Sequence, residues 1–434
     1  MTRSWHGSIL VLLHSLTASS TSEFSLRRDP LGHDPQVEVV HLYQQFPVGV
    51  AVSRSGRQFT CYAPGLDALN VYNGTNDVYQ VVELTGFDTD APYPNASYNQ
   101  PPGGAVDTSG PIESIFIDYD DVLWVLDCGR VIYESVLLES TYGGAKLIAF
   151  DLVTDTVIRT YVFSTEAVRP NSFLGDVRVD TVRRFAYLPD FSPDRNNAIC
   201  VLDLDTGDTW RTLARDFTVT AMTGFVPFVQ GNPLYMVRVS GSGQAIGPVT
   251  IPFGVDSVAL SPDTDTLYYS TVGGRYLYSV PTDLLRNRST PVTEIVAAVQ
   301  VLGEKGFAVG LTTDSLGFVY SDCNEQDAVS RFDPYTRKVE VFVRDERIDF
   351  AAKLFAATDG YLYFDVTQFD KLPSVYRGHG PLDQRVRPFA LLRARLPVSL
   401  LPTAFVHCNH PLPPKRSLHI PFVFFVYSFV YQFQ

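Results

Sequence analysis

Along the chain an apolar run meets a tight acidic or glycine turn and resumes as a second apolar run that closes on an aromatic, and this pattern occurs six times, at 48–62, 112–127, 173–190, 255–271, 308–322 and 354–365. The turns between the runs are Ser55-Gly56, Tyr119-Asp120, Thr181-Val182, Pro262-Asp263, Ser315-Leu316 and Thr358-Asp359. They leave only a few residues for reversal, so each copy predicts a short β-hairpin. A second kind of pair follows, written as strand, Asp-x-x-Thr turn, strand: 147–163, 198–213 and 328–343 show it clearly, and 69–84, 276–295 and 389–396 show it weakly. Four strands recurring every roughly 45 to 80 residues predict propeller blades, because one four-stranded sheet cannot cover both of its faces and must stack on neighbours. The fold class is therefore all-β, a six-bladed β-propeller over 37–398.

An open ring has two loose edges, and these are commonly sealed by lending a strand from one end of the chain to the last sheet. The segment 37–44 (VEVVHLYQ) is a ready strand, and the sixth blade lacks an obvious fourth one after Leu396, so the two are expected to pair. In up-and-down blades the first-to-second and third-to-fourth turns share one face, and here they are short. The other connections are long, including 128–144, 191–197, 322–327 and 368–388. Binding groups sit on long loops over a rigid scaffold, so the site is expected on that face, above the central channel.

Polar residues placed there are Glu113, Asn171, Asp176, Asp256, Lys305, Asp322 and Asp365, interleaved with Phe173, Phe253, Phe307, Phe350, Phe369 and Tyr376. For any single acid, capping a loop is the plainer role. As a group they predict an aromatic pocket with a few polar anchors, suited to an organic ligand. Eight histidines are present, and only His379, in the longest loop, lies outside the two ends. No histidine metal cluster, Ser/His/Asp set or Cys/His pair can then be assembled from the body of the chain. A calcium ion on oxygens such as those of Glu113, Asn171 and Asp256 is chemically permissible, but the spacing is not diagnostic, and neither metal nor other cofactor is expected. Gly241-Ser-Gly243 opens no helix and does not read as a phosphate cradle.

The net charge of −13 over 434 residues opposes nucleic-acid binding, which needs a basic face to neutralise phosphates, and no nucleic-acid partner is expected. Arg3, the apolar stretch 9–16 and the small residues Ala18, Ser19 and Ser20 predict a signal peptide over 1–20. Sequons at Asn73, Asn95 and Asn287 agree with glycosylation in the secretory pathway. Five cysteines, Cys61, Cys128, Cys200, Cys323 and Cys408, define no disulfide framework, although one bridge among Cys61, Cys128 and Cys323 stays open. The residues 399–434 form an irregular hydrophobic tail whose apolar part, 420–433, is too short for an ordinary membrane span.

Several segments resemble the yellow / major royal jelly protein family: Leu123-Trp-Val-Leu-Asp-Cys-Gly129, Leu147-Ile-Ala-Phe-Asp-Leu152, Arg169-Pro-Asn-Ser-Phe-Leu174, Ala186-Tyr-Leu-Pro-Asp190, Asp256-Ser-Val-Ala-Leu-Ser-Pro262, Leu277-Tyr-Ser-Val-Pro281 and Leu302-Gly-Glu-Lys-Gly306. The resemblance implies six blades. It also implies tasks, since insect members include secreted binders of small amines, while the fungal branch, nearest through Pro101-Pro-Gly-Gly104, includes hetero-Diels-Alderases of natural-product pathways. Those join a tropolone-derived quinone methide to a humulene-type terpene. By that resemblance the leading expectation is a cofactor-independent pericyclase of secondary metabolism, with Phe173, Phe307 and Tyr376 shaping the terpene surface and Asn171, Lys305 or His379 donating to a carbonyl oxygen. The alternative is a secreted binder of a small aromatic or amine ligand, with Asp256, Asp322 or Asp365 pairing its cation. The chain departs from the family pattern at Cys128, where Ser or Thr is usual, and at Asp176, where Asn is usual.

Overall fold

The structure is a computed structural model that describes residues 33–63, 67, 70, 78–99, 112–130, 132–133, 136–137, 139–140, 144–239, 245–376 and 382–397. The expected signal peptide, the tail, His379, Asn73, Cys408 and the Pro101-Gly104 motif lie outside them. Six four-stranded antiparallel sheets make a six-bladed β-propeller. Counted from the channel outward, their first strands are Gly49–Val52, Ile112–Ile117, Arg178–Asp180, Val255–Leu260, Leu311–Thr313 and Ala351–Ala356. In the sixth sheet the strands run Ala351–Ala356, Tyr361–Val366, Phe389–Arg395 and Val37–Tyr43. Its outermost strand thus comes from the N-terminal side, with Val37 opposite Ala394 and Tyr43 opposite Phe389.

The first hairpin of every blade reverses through one residue in the left-handed region: Gly56, Asp121, Arg184, Thr264, Gly317 and Gly360. In five of the six an acid just before the reversal supports it, and in the first blade the Ser53 hydroxyl does so by accepting from the Arg57 amide. Asp118 accepts from the amides of Asp120 and Val122 at 2.9 and 3.0 Å and from the Trp124 indole at 2.7 Å. Asp314 repeats this arrangement with the amides of Leu316 and Phe318 and the Tyr320 hydroxyl, all at 2.9–3.0 Å. These acids are thus local hydrogen-bond anchors. Between blades the core is apolar, aliphatic with interspersed aromatics: Leu126, Leu147 and Trp124 of the second share a buried cluster with Leu174, Leu188 and Leu202 of the third.

Three regions depart from the sequence pattern. In the first blade the outer pair is Val81–Leu84 with Asp90–Pro92, displaced toward the C-terminus from the expected 69–84. The expected strand pair over 276–295 is one strand, Tyr276–Pro281, followed by the helices Thr282–Arg286 and Val292–Ala298 before the outer strand Gln300–Glu304. Each helix starts directly after a proline, Pro281 or Pro291, and carries an acid in its first turn, which favours helix initiation over a strand. On the long-loop face Tyr235–Val239, Ala245–Val249 and Val375–Tyr376 form an additional three-stranded sheet that joins the connection after the third blade to a loop of the sixth.

Asp314→Ala leaves the buried Tyr320 hydroxyl and two turn amides without their acceptor, so it is expected to cost about 2–3 kcal/mol of stability, read from urea unfolding midpoints.

Candidate functional site

A cavity of about 150 Å³ opens at the long-loop face over the channel. Its walls are phenyl rings. Phe173 stacks on Phe191 with centroids 4.5 Å apart, and Phe191 leans on Phe253 at 5.6 Å. Around the ring, Phe307 meets Phe350 at 5.8 Å and Phe350 meets Phe369 at 5.4 Å, while Phe46 adds another wall. Met236 from the additional sheet and Ile251 also face it, so this sheet helps enclose the ligand face.

Three charged side chains join these rings: Glu113, Asp256 and Lys353. Each comes from the innermost strand of its blade at an irregularity in register. Ile112 pairs with Asp127 and Ser114 with Leu126, so Glu113 is an extra residue between them. Asp256 is likewise extra between Val255 and Ser257, and Ala352 and Lys353 together face a single partner position. A bulge of this kind re-aims a side chain out of the regular alternation.

The Lys353 ammonium donates to the Gly175 carbonyl at 3.0 Å and to Asp256 at 3.3 Å. Burial pushes the Asp256 carboxyl up despite Lys353. Burial also opposes the charge on Lys353, but Asp256 and Asp176 more than offset it and its pKa is raised. Glu113 differs: it is 6% exposed, and its Oε1 has no hydrogen-bond partner. Burial lifts its pKa from 4.5 to about 8, with Lys353 opposing and Asp256 and Asp127 adding to the rise. Near neutral pH the site thus holds an ion pair and a protonated acid with an unused oxygen.

Of the residues expected from sequence, Glu113, Phe173, Phe253, Asp256, Phe307, Phe350 and Phe369 line this cavity. Asp176 lies below it, accepting from Ser114 at 3.0 Å and Arg178 at 2.7 Å beside a void of about 10 Å³ that Lys353 also lines. Asp322 is taken up by the amides of Val309 and Gly310 and by Asn324. Asp365 accepts from the Tyr43 hydroxyl at 2.8 Å in the sixth sheet, and burial holds its pKa well above the usual range. The Lys305 ammonium donates to the Gly306 carbonyl at 3.1 Å, and burial lowers its pKa although Asp322 opposes this. The Asn171 side chain donates to Asp194 on the rim, and Tyr376 pairs through its backbone with Tyr235.

Among the sequons, Asn95 accepts from Ser97 and Tyr98 within a turn, and Asn287 follows the helix Thr282–Arg286. Cys61, Cys128, Cys200 and Cys323 are buried free thiols. Among the described residues no helix is long and apolar enough to cross a membrane.

Sequence reading missed Lys353, Phe46, Phe191 and Met236. The one available signal was Lys353 itself, a lone charge within the otherwise apolar Ala351–Ala356.

Two substitutions test this geometry. A side chain at Gly175 would collide with the Asp256 carboxylate and meet the Phe191 ring at 2.7 Å, so Gly175→Ala is expected to cost about 1–3 kcal/mol in denaturant unfolding. Because the folded-state pKa of Glu113 is raised, the folded protein holds the extra proton between pH 4.5 and about 8 and loses stability as pH rises through that window. The stability of Glu113→Gln relative to the parent should accordingly climb by up to about 1.4 kcal/mol per pH unit there and level off above it, in unfolding curves collected from pH 5 to 9.

Residues 112–370, from the second blade into the sixth, match the sequence profile described as major royal jelly protein. Protein yellow of Drosophila erecta and of Drosophila yakuba are each 26% identical over 214 residues, 48% of this chain and 36% of theirs. The matched part is thus about a third of the length of those relatives. Among solved structures, a luciferin-regenerating enzyme is similar with a TM-score of 0.47 at 10% identity, covering 83% of this chain and 94% of that one. A gluconolactonase from Xanthomonas campestris gives a TM-score of 0.44 at 11% identity, covering 83% and 89%. With its profile match extending over more than half of the 434 residues, the chain belongs to the major royal jelly protein family.

Proposed function

We propose that this propeller binds one small organic cation, an amine with an apolar body about the size of a single ring, in the phenyl-walled cavity of its long-loop face. The observation that carries this reading is the unpartnered, buried Glu113 oxygen among those rings. An unsatisfied polar atom in an apolar site is costly unless something pairs with it. A ligand cation supplies that partner, while phenyl faces attract its charge. Asp256 is committed to Lys353, so with Glu113 ionised the three groups carry one net negative charge, matched to a monocation. The protein's net charge of −13 favours approach of cations generally.

Size separates this reading from the pericyclase implied by the family resemblance. A cavity of about 150 Å³ is on the scale that admits one benzene-like molecule. Cycloaddition of a quinone methide with a humulene-type terpene needs both partners held together, in a volume closer to the roughly 300–1,000 Å³ of larger ligand pockets. Adduct formation above the uncatalysed rate, with such a pair of substrates, would favour catalysis over plain binding. Entry into the secretory pathway, read from 1–20 and the sequons, is part of the same proposal and suits a binder of extracellular amines.

Glu113 faces Lys353 and Asp256 from the sixth and fourth blades, Asp127 from its own blade, and the thiols of Cys61 and Cys128. Binding a cation favours its ionised form, so below about pH 8 binding should release close to one proton and tighten as pH rises, by up to about tenfold per unit. Calorimetry of phenethylamine in buffers of different ionisation enthalpy reads this directly. Glu113→Gln should weaken binding by about tenfold or more and abolish the proton release. Unchanged affinity in that variant would remove the carboxyl from the proposed role.

A further inference from the structure

We infer that the cavity discriminates by the number of N–H donors on the ligand and prefers a fully methylated ammonium to a primary one. The inference rests on the amine-binding reading and sharpens it to a ligand class. A primary ammonium carries three donors and is strongly hydrated, so on entering a cavity it needs several acceptors to replace the lost water. This cavity presents few. The Lys353 ammonium already donates to Asp256 Oδ2 and to the Gly175 carbonyl, and it partly neutralises that carboxylate. The Thr367 hydroxyl, which donates to the Phe350 carbonyl at 3.0 Å, keeps its oxygen as one neutral acceptor. Glu113 Oε1 is left as the buried lining oxygen with no partner. A primary ammonium moved toward Asp256 would also meet Lys353, a charge of its own sign.

The walls have the opposite preference. Phe173, Phe191, Phe253, Phe307, Phe350 and Phe369 offer ring faces and edges and no strong acceptor. A trimethylammonium group has no N–H to satisfy and spreads its charge over methyl groups that pack against such rings. Its weaker hydration lowers the cost of entry, and Glu113, once ionised, neutralises its charge without a directed hydrogen bond. The ligand class is therefore an alkylated, quaternary ammonium on a short apolar or aromatic body.

The test is a calorimetric series on the full chain at pH 8.5: phenethylamine, its N,N-dimethyl and N,N,N-trimethyl derivatives, and, for charge alone, choline against its neutral carbon isostere 3,3-dimethylbutan-1-ol. Affinity is expected to rise with each methylation, with the trimethyl compound binding about tenfold more tightly than the primary amine, and choline more tightly than its isostere. Phe253→Leu, which keeps the site apolar but removes a ring, should narrow the trimethyl-to-primary ratio by about threefold or more while the fold, followed by circular dichroism, is retained. A primary amine that binds as tightly as the trimethyl compound, or a ratio unmoved in Phe253→Leu, overturns the inference and leaves amine binding standing. If no amine binds, or the neutral isostere matches choline, the proposed function itself fails.

Discussion

The site depends on one constraint, the requirement that the innermost strands of three blades break their pairing register where they reach the long-loop face. A regular strand alternates its side chains between the two faces of its sheet, which in a propeller blade pack against neighbouring blades. Charges placed by that alternation at 113, 256 or 353 would be driven into the apolar layers between blades. The extra residue in each innermost strand turns Glu113, Asp256 and Lys353 out of those layers and into the cavity. Outer strand pairs carry shifts of their own, at Val39/His41, Ala149/Phe150, Leu277/Tyr278 and Val329/Ser330, but only those at 113, 256 and 352–353 place a charge in the cavity.

Once turned inward, these charges must be balanced without water. Lys353 bridges Asp256 and the Gly175 carbonyl, and directly beneath it Arg178 and Ser114 hold Asp176. A buried pair of this kind contributes little net stability relative to an apolar replacement, because desolvation consumes most of the Coulombic gain, yet removing one partner is expensive. Its consequence here is positional. The ammonium crosses between the fourth and sixth blades, and Gly175 has no side chain because its carbonyl must approach that ammonium and the Asp256 carboxylate closely.

The blade count and the face carrying most of the long connections were legible from sequence because both follow from repetition: six hairpins with their turns, and long connections chiefly on one side, the helical stretch between Pro281 and Gln300 on the opposite side excepted. The turn positions were legible too, but the acids that anchor two of them, Asp118 and Asp314, sit just before the residues read as the turns and emerge only from their bonds to local backbone amides. Lys353 was not, because a single lysine in a strand ordinarily points to solvent, and nothing local announces a bulge. Nor was the additional three-stranded sheet, whose member Val375–Tyr376 lies far along the chain from Tyr235–Val239. The stretch 282–298 failed for a different reason: its apolar residues fit a strand as well as a short helix, and the prolines that start the helices also read as strand punctuation.

Acids that looked alike in sequence separate by what satisfies them. Asp190 and Asp322 end second strands and are saturated: Asp190 by Ser172, the Phe173 amide and Arg211, Asp322 by two amides and Asn324. Their role is to tie each incoming loop to the blade it enters. Glu113 arrives at the same face from the neighbouring strand with no such set of donors, and the bulge that freed it from the ladder also placed it beyond the reach of the backbone. A satisfied acid and an unsatisfied one thus differ by one residue of register. Loop amides and neighbouring side chains fill the oxygens of Asp190 and Asp322, whereas the bulge leaves Glu113 Oε1 without a donor.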